Sequence, residues 1–247
     1  YNMDRNNLKS LNLYLYSLFG HMEFEGFLKV MREQKLIKDH LLLEYAQKFN
    51  EKFSASDLVG FIKTLQKVSH AARKQLEANL IYSFTEQRPL AERVDLVDLL
   101  FGAGRVEWAE VNGRYVLSLR GNKHVDNIYC LRKLPLRVLD LSGTLVTDIK
   151  PLHGMPLESV NLSGTHVVEV KYLNGATLRE LDISDTPIIH INLGLIRNLK
   201  VLKLNDVKRP LGFLKNLINL ELIELPKALY SEKDLAVLNS KVKVIYK

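Results

Sequence analysis

A 21-residue period among the apolar residues of its second half constrains the fold of this chain more than any other feature. From Leu139 onward an apolar anchor recurs every 21 residues, and one more anchor precedes the series at a spacing of 22. These anchors are Leu117, Leu139, Val160, Leu181, Leu202, Ile223 and, at the end of the series, Val244. A period of this length is typical of a chain that stacks like units side by side.

Around the central anchors the chain repeats the pattern L-x-x-L-x-L. The two apolar residues of each L-x-L point to one face of a short strand, because successive side chains of a strand alternate between its faces. One unit cannot bury its leucines alone, but stacked neighbours bury them together and form a parallel sheet. The remaining residues of each unit are too few for a regular helix, so we expect extended or 3₁₀ returns on the convex side.

The stretch "LRVLDLSGTLVTDIKPLHGMPLESVNLSGT", which begins at Leu136, resembles short bacterial leucine-rich repeats of the internalin type. It is still more similar to repeat arrays in large bacterial signalling proteins, some of which follow serine/threonine kinase domains. The resemblance covers residues 115–247 and implies a right-handed solenoid with a parallel concave sheet. Thr144, Thr165 and Thr186 stand where many such repeats carry Asn, and we expect them to bond neighbouring backbones in part. The last two repeats lose both Gly and Thr.

The first part of the chain has a different pattern, with apolar residues at helical spacing. It predicts an all-helical region over residues 1–104, with Ser56 and Ser69 as N-caps and a last helix that begins at Pro89 and ends near Gly102. Residues 8–19 fit a helix, an alternating strand or one isolated copy of the repeat pattern, and we prefer a buried helix. Residues 105–247 form the second region, and the fold class is α+β.

A β-hairpin is predicted at the junction of the two regions. Asn112-Gly113 separates two strand-like runs, and both turn residues must accept positive φ, which Asn and Gly do readily. Its second arm, residues 115–119, is the first strand of the repeat. We expect the first arm, residues 106–111, to add an antiparallel strand that caps the edge of the solenoid, although a simple linker hairpin fits the same residues.

Composition limits the classes of function. The excess of seven positive charges lies entirely in residues 111–247, because residues 1–110 hold 15 basic and 15 acidic residues. No apolar stretch is long enough for a membrane helix and no secretory signal is visible. The single cysteine, Cys130, excludes an internal disulfide and favours a cytoplasmic protein. Since the chain begins without methionine, we expect it to be part of a longer protein.

The sequence contains no catalytic or metal-binding constellation. The glycines of "FGAGR" lack the Lys-Ser/Thr of a phosphate loop, and the kinase triplets H-R-D and D-F-G are absent. The seven histidines show no ligand spacing with one another or with Cys130, which we interpret as a buried structural thiol rather than a nucleophile. We therefore predict a non-catalytic protein that has no cofactor.

The concave face, formed by residues that alternate with the buried leucines, is the predicted binding surface. Its middle carries short, hydroxylated and acidic side chains, which leave room for the long side chains of a partner and favour a basic contact. The predicted partner-binding residues are Arg120, Asp140, Ser142, Asn161, Ser163, Glu180, Asp182, Ser184, Lys203 and Asn205. An ordinary solvated strand face is the alternative interpretation of the same pattern.

A basic patch in the later repeats offers a different function. Its members, Arg197, Lys200, Lys208, Arg209 and Lys215, are suited to nucleic acid or an anionic surface. They fall on different faces of the repeat and have few aromatic neighbours, so a solubilising edge is the preferred interpretation. The leading prediction is a protein-interaction module of a larger bacterial signalling protein. Two further interpretations are an enzyme within the helical region and a purely structural spacer.

Overall fold

A computed structural model of the protein describes residues 54–64, 88–102, 106–173, 177–188, 196–205, 210–227 and 229–247, together with Glu77, Ile81 and Thr85. The chain divides into two compact units, Tyr1–Leu100 and Phe101–Lys247. Among the described residues, no helix is both long enough and apolar enough to cross a membrane.

Two helices are described in the first part of the chain, α1 over Ala55–Thr64 and α2 over Leu90–Phe101. Ser54 caps α1, because its Oγ accepts the N–H of Asp57 at 3.2 Å while the Asp57 carboxylate accepts the Ser54 N–H at 3.0 Å. The prediction of Ser56 as this cap is wrong, because the reciprocal bonds require an acidic residue three positions later, which only Ser54 has.

Helix α2 begins directly after Pro89, and Gly102 ends it with a φ of 93°, a conformation that glycine accepts without strain. The described residues Glu77, Ile81 and Thr85 are also helical. The remaining predicted helices, residues 8–19 and Ser69 lie outside the described residues.

The second unit contains one eight-stranded sheet whose strands follow one another in chain order. The first two strands are antiparallel and every later pair is parallel. The strands are β1 Glu107–Val111, β2 Arg114–Ser118, β3 Leu136–Asp140, β4 Ser159–Asn161, β5 Glu180–Asp182, β6 Val201–Lys203, β7 Leu222–Leu225 and β8 Lys243–Tyr246.

The 21-residue period of the sequence is the strand register of this sheet. Each anchor residue pairs with the anchor of the next strand, from Leu117 on β2 to Val244 on β8. The leucines three positions earlier form a second buried row, of which Leu136, Leu157 and Leu178 have no exposed surface. Stacked leucine rows behind a parallel sheet make this unit a leucine-rich-repeat solenoid.

The hairpin stands at the first edge of the sheet. Asn112 and Gly113 have φ values of 53° and 72°, the pair of positive angles that a type I′ turn requires. Trp108 and Tyr115 lie on the core side of the hairpin with their rings 5.8 Å apart and edge to face. Their apolar rings therefore extend the leucine core toward this edge.

A tight turn follows each of strands β2 to β5. Its third residue has a positive φ, and this residue is Gly121, Gly143, Gly164 and, as the one non-glycine, Asp185. The buried hydroxyls of Thr144 and Thr165 donate to carbonyls three residues earlier, at 2.7 and 2.6 Å. For Thr144 and Thr165 the predicted bond to a neighbouring backbone is thus not made, because each short hydroxyl bonds within its own turn.

Backbone groups join one turn to the next instead. The N–H of Gly143, for example, donates to the Ser163 carbonyl at 2.7 Å. On the opposite side of the core the chain returns through 3₁₀ segments at Tyr129–Leu131, Lys150–Leu152, Lys171–Leu173 and Gly212–Asn216, as the short returns predict. The last return carries a one-turn helix, α3, over Glu232–Leu235.

Candidate functional site

The concave face consists of three rows of side chains that cross the parallel strands. The strand register aligns the first row as Val116, Val138, Ser159, Glu180, Val201 and Leu222. It aligns the second row as Ser118, Asp140, Asn161, Asp182, Lys203 and Glu224. The third row follows each strand and contains Arg120, Ser142, Ser163, Ser184 and Asn205. The register thereby places five predicted partner-binding residues on one face, Asp140, Asn161, Glu180, Asp182 and Lys203, and the other five lie in the turns that follow these strands or β2.

Three neighbouring members of the second row hold the same local geometry. The Oδ1 atoms of Asp140, Asn161 and Asp182 accept the backbone N–H of the serine two residues later, at 2.8, 2.9 and 3.0 Å. Such an Asx-turn fixes the side chain, so little rotamer entropy remains to be lost when a partner binds. The other carboxylate oxygen of each Asp is left for a further contact.

The serines of the third row contribute less surface than their sequence suggests. Ser142 and Ser184 are only 7% and 5% exposed, whereas Ser163 is half-buried. The Ser184 hydroxyl accepts the N–H of Asn205 at 2.9 Å and so joins two turns. Within this row, the exposed Arg120 offers the most side-chain surface to a partner.

Ion pairs occupy the far end of the concave face. Lys203 Nζ lies 2.7 Å from the Glu180 carboxylate, and Lys247 Nζ lies 2.9 Å from that of Glu224. Burial alone would lower the pKa of Lys203, but the hydrogen bond to Glu180 and the negative charges of Glu180, Glu224 and Asp182 together raise that pKa above its usual value. These charges are largely neutralised within the chain.

Glu224 is the most deeply placed charge of this face, with an exposed fraction of 8%. Burial alone would raise its pKa, but hydrogen bonds from Lys247 and Asn205 hold the pKa below its ordinary value. The Asn205 amide donates to this carboxylate at 3.1 Å. The predicted binding residues Glu180, Lys203 and Asn205 therefore have structural partners of their own.

Asp140 and Asp182 differ from these charges. Within the described part of the chain neither carboxylate has a cation within ion-pair distance, and both are half-buried rather than fully solvated. Asn161 lies between them, so the two carboxylates stand two strands apart, about 10 Å from one another. Asp182 also interacts electrostatically with Lys203 on the next strand, but without a direct contact. The carboxylates of the concave face that are not held in an ion pair are thus those of Asp140 on β3 and Asp182 on β5.

A charged network at the start of the strands was not visible in the sequence. The Glu158 carboxylate lies 2.8 Å from Arg137 and 3.1 Å from Arg114, which belong to two preceding strands. The hydrogen bond from Arg137 lowers the pKa of Glu158. Since Arg114 is 44 residues away in the chain, only the stacking of the strands brings the three together.

The predicted basic patch does not form one cationic surface among the described residues. Lys200, directly before β6, pairs with Glu221, and Lys215 lies on the 3₁₀ return behind the sheet. Arg197 is exposed, while Lys208 and Arg209 lie outside the described residues. Lys200 attracts an anion less strongly than a free lysine would, and Lys215 lies elsewhere on the repeat, so the geometry gives less support to a nucleic-acid surface.

The described residues also show how the candidate catalytic and metal-binding groups are placed. Cys130 has no exposed surface and packs within the 3₁₀ return Tyr129–Leu131. His124, His153 and His166 are exposed. Across the ranges that the structure describes, no group of three His, Cys, Asp or Glu side chains is placed to hold a metal ion.

Comparisons with known proteins add little to this geometry. No protein-family model matches the chain, and no curated protein matches it. Among solved structures it is similar to internalin C2 from Listeria monocytogenes, at 16% identity over 69% of this chain and 92% of that chain, with a TM-score of 0.37. A superposition this loose supports no assignment of function, and the repeat architecture rests on the register of the eight strands.

Proposed function

We propose that the chain is a non-catalytic protein-interaction module that binds a protein partner on the concave face of its solenoid. The observation that carries the proposal is the pair of carboxylates without an ion pair to a described residue, Asp140 and Asp182, held by Asx-turns on either side of Asn161. Fixed acceptors on an extended sheet face favour a partner that brings basic side chains.

The contrast along the face supports this location. The carboxylates of Glu180 on β5 and Glu224 on β7 are already paired with lysines of the chain itself. A partner would have to break those pairs, whereas Asp140 and Asp182 are open to a new one. On the resemblance of its repeats, we propose a regulatory or scaffolding role within a larger, cytoplasmic bacterial signalling protein, including one with a kinase domain.

The test replaces both carboxylates with amides, in the double variant Asp140→Asn, Asp182→Asn. An amide oxygen keeps the Asx-turn, as Asn161 shows with its 2.9 Å bond, so the fold is retained and only charge is lost. Partner proteins captured from a bacterial lysate by the wild type should be lost, with an affinity at least about tenfold weaker in titration.

Asp148→Asn is the matched control. Asp148 accepts the Lys150 N–H at 2.8 Å in the same kind of turn, but it lies on the return behind the sheet. This variant should bind like the wild type. Equal capture by the wild type, the control and the double variant would refute the concave-face proposal.

A further inference from the structure

A polar cleft of about 560 Å³ lies at the first edge of the sheet, where β2 ends. Glu107 and Ser118 line it, and because they are direct partners across the β1–β2 pair, both point to the concave face. Arg120, two residues beyond Ser118, also lines the cleft and is exposed. The volume falls within the range of roughly 300–1,000 Å³ that is usual for ligand sites.

The turn that borders this cleft is the first of the stacked turns. In the two following turns the carbonyls of Ser142 and Ser163 each accept the N–H of the glycine one turn earlier, Gly121 and Gly143, at 2.7 Å. The Arg120 carbonyl holds the same position in the first turn, and no described residue donates to it. The backbone on this side of the cleft therefore presents a carbonyl to which no described residue donates, whereas the equivalent carbonyls of the next two turns each accept a hydrogen bond.

The space around the glycines of the stacked turns also distinguishes the first turn from the later ones. A Cβ added to Gly143 would lie 3.6 Å from the Cα of Gly121, because the preceding turn stacks against it. A Cβ added to Gly121 would have no heavy atom within 4 Å. The cleft thus lies where a further length of extended chain would continue the stack.

The charges around the cleft select for an acidic group. Arg120 makes no ion pair with a described residue, and its guanidinium presents a fork of donors that matches a carboxylate. Lys123 Nζ donates to the Gly143 carbonyl, which holds a second positive charge at the rim. The Glu107 carboxylate repels a small free anion. It can, however, accept hydrogen bonds from the backbone N–H groups that a polypeptide supplies.

We propose that this cleft binds an acidic residue of a polypeptide. The carboxylate of that residue bonds to Arg120, and its backbone N–H groups bond to the Arg120 carbonyl and to Glu107. The inference rests on the proposed function, since the cleft opens on the concave face. It gives the partner a second chemical feature, an acidic residue placed beyond the basic residues that face Asp140 and Asp182.

The experiment is a titration of the ¹⁵N-labelled chain with short blocked peptides, followed by NMR. The probe is acetyl-Gly-Gly-Asp-Gly-Gly-amide, and the matched peptide carries Asn in place of Asp. Acetyl-pentaglycine with a free carboxyl terminus tests whether the carboxylate comes from a chain terminus instead of an acidic side chain. The acidic peptide that binds more tightly identifies the source that the cleft prefers. We expect the Asp peptide to shift the amides of Gly121 and Lys123.

Two variants of the chain locate the contact. Arg120→Gln should weaken binding of the acidic peptides by about tenfold, because a charge-assisted bidentate contact is lost. Arg197→Gln, which removes an exposed arginine of the later repeats, should leave binding unchanged. The inference is overturned if the Asn peptide binds as tightly as the Asp peptide, or if binding is lost in Arg197→Gln instead. It is also overturned if inorganic phosphate binds at the same amides as tightly as the peptides.

The failure of this inference can be separated from that of the proposed function. The double variant Asp140→Asn, Asp182→Asn should leave the peptide titration unchanged. If no acidic peptide binds while the double variant still loses its partner, the cleft proposal falls and the concave-face function stands. If binding of the acidic peptides depends on Arg120 but the double variant keeps its partner, the concave-face function falls and the cleft proposal stands.

Discussion

At the scale of single residues, the turn after each strand shows how a short phrase of sequence is divided between fold and function. In "LDLSGT", Leu139 and Leu141 are fully buried, and the Thr144 hydroxyl is bonded to the Leu141 carbonyl. Asp140 faces the opposite side, where one of its oxygens holds the turn and the other is left for a partner. Gly143 supplies the positive φ that closes the turn.

The backbone angle of Gly143 leads to a stability prediction. Its φ of 67° lies in the left-handed region, where an L side chain costs about 1–2 kcal/mol. Gly143→Ala should therefore lower the free energy of unfolding by about that amount, measured by urea denaturation. Gly212→Ala is the control, since a Cβ there meets nothing within 4 Å and its φ is not positive. An equal loss in both variants would mean that the turn angle is not the cause.

At the scale of elements, the solenoid changes character along its length. Strands β3 to β5 are followed by turns of one kind, with Asx bonds and a positive φ at the third position. Farther along the concave face, the pair Lys203–Glu180 joins β6 to β5, and the pair Lys247–Glu224 joins the residue after β8 to β7. Charge pairing in the later repeats accompanies the loss of the Ser-Gly-Thr turn from their sequence.

Glu224 makes the later repeats sensitive to acid. Its pKa is lowered in the folded state, so the stability it contributes is present above its unfolded pKa, about 4.3, and is lost as pH falls through the folded value. Glu224→Gln should cost roughly 1 kcal/mol at neutral pH, because Lys247 is mostly exposed and solvent screens the pair.

The difference in unfolding free energy between the wild type and Glu224→Gln should shrink as pH falls from about 6 to about 3. Urea denaturation at a series of pH values measures it. Glu221→Gln is the control, since its carboxylate is well exposed on the same strand edge and pairs only with Lys200 among the described residues. A wild-type advantage that stays constant with pH would contradict the role of the Glu224 carboxylate.

At the scale of the whole repeat unit, stability is shared between neighbouring turns, because each strand pairs only with the strands before and after it. A central anchor such as Leu181 is enclosed on both sides and has no exposed surface. Val244, on the last strand of the sheet, has one neighbouring strand and is half-buried. The same side-chain truncation should therefore cost much more in the middle than at the end.

Leu181→Ala should lower the free energy of unfolding by about 2–5 kcal/mol, because it leaves a cavity between two packed neighbours. Val244→Ala should cost no more than about 1 kcal/mol, because a half-buried side chain at an edge loses less contact. Both are measured by urea denaturation of the same chain. Similar costs at the two positions would show that the unit does not behave as a stack of nearest-neighbour turns.

The sequence by itself determined the architecture of the repeat unit. A period of 21 residues with L-x-x-L-x-L places one buried anchor on each strand, and the register from Leu139 to Ile223 follows from it. Asn112-Gly113 specified the hairpin turn for an equally local reason, the need for two positive φ angles. Such features can be read from sequence because their causes lie within one repeat or one turn.

Only the tertiary structure decided which charges of the concave face remain open to a partner. Pairing depends on side chains that the stacking of strands brings together, such as Lys203 with Glu180 and Arg114 with Glu158. It left Asp140 and Asp182 without an ion pair to a described residue, and it made the end of β2 a cleft because its turn is the first of the stack. Spacing along the chain fixes which face a residue occupies, but its electrostatic partners depend on distances between turns.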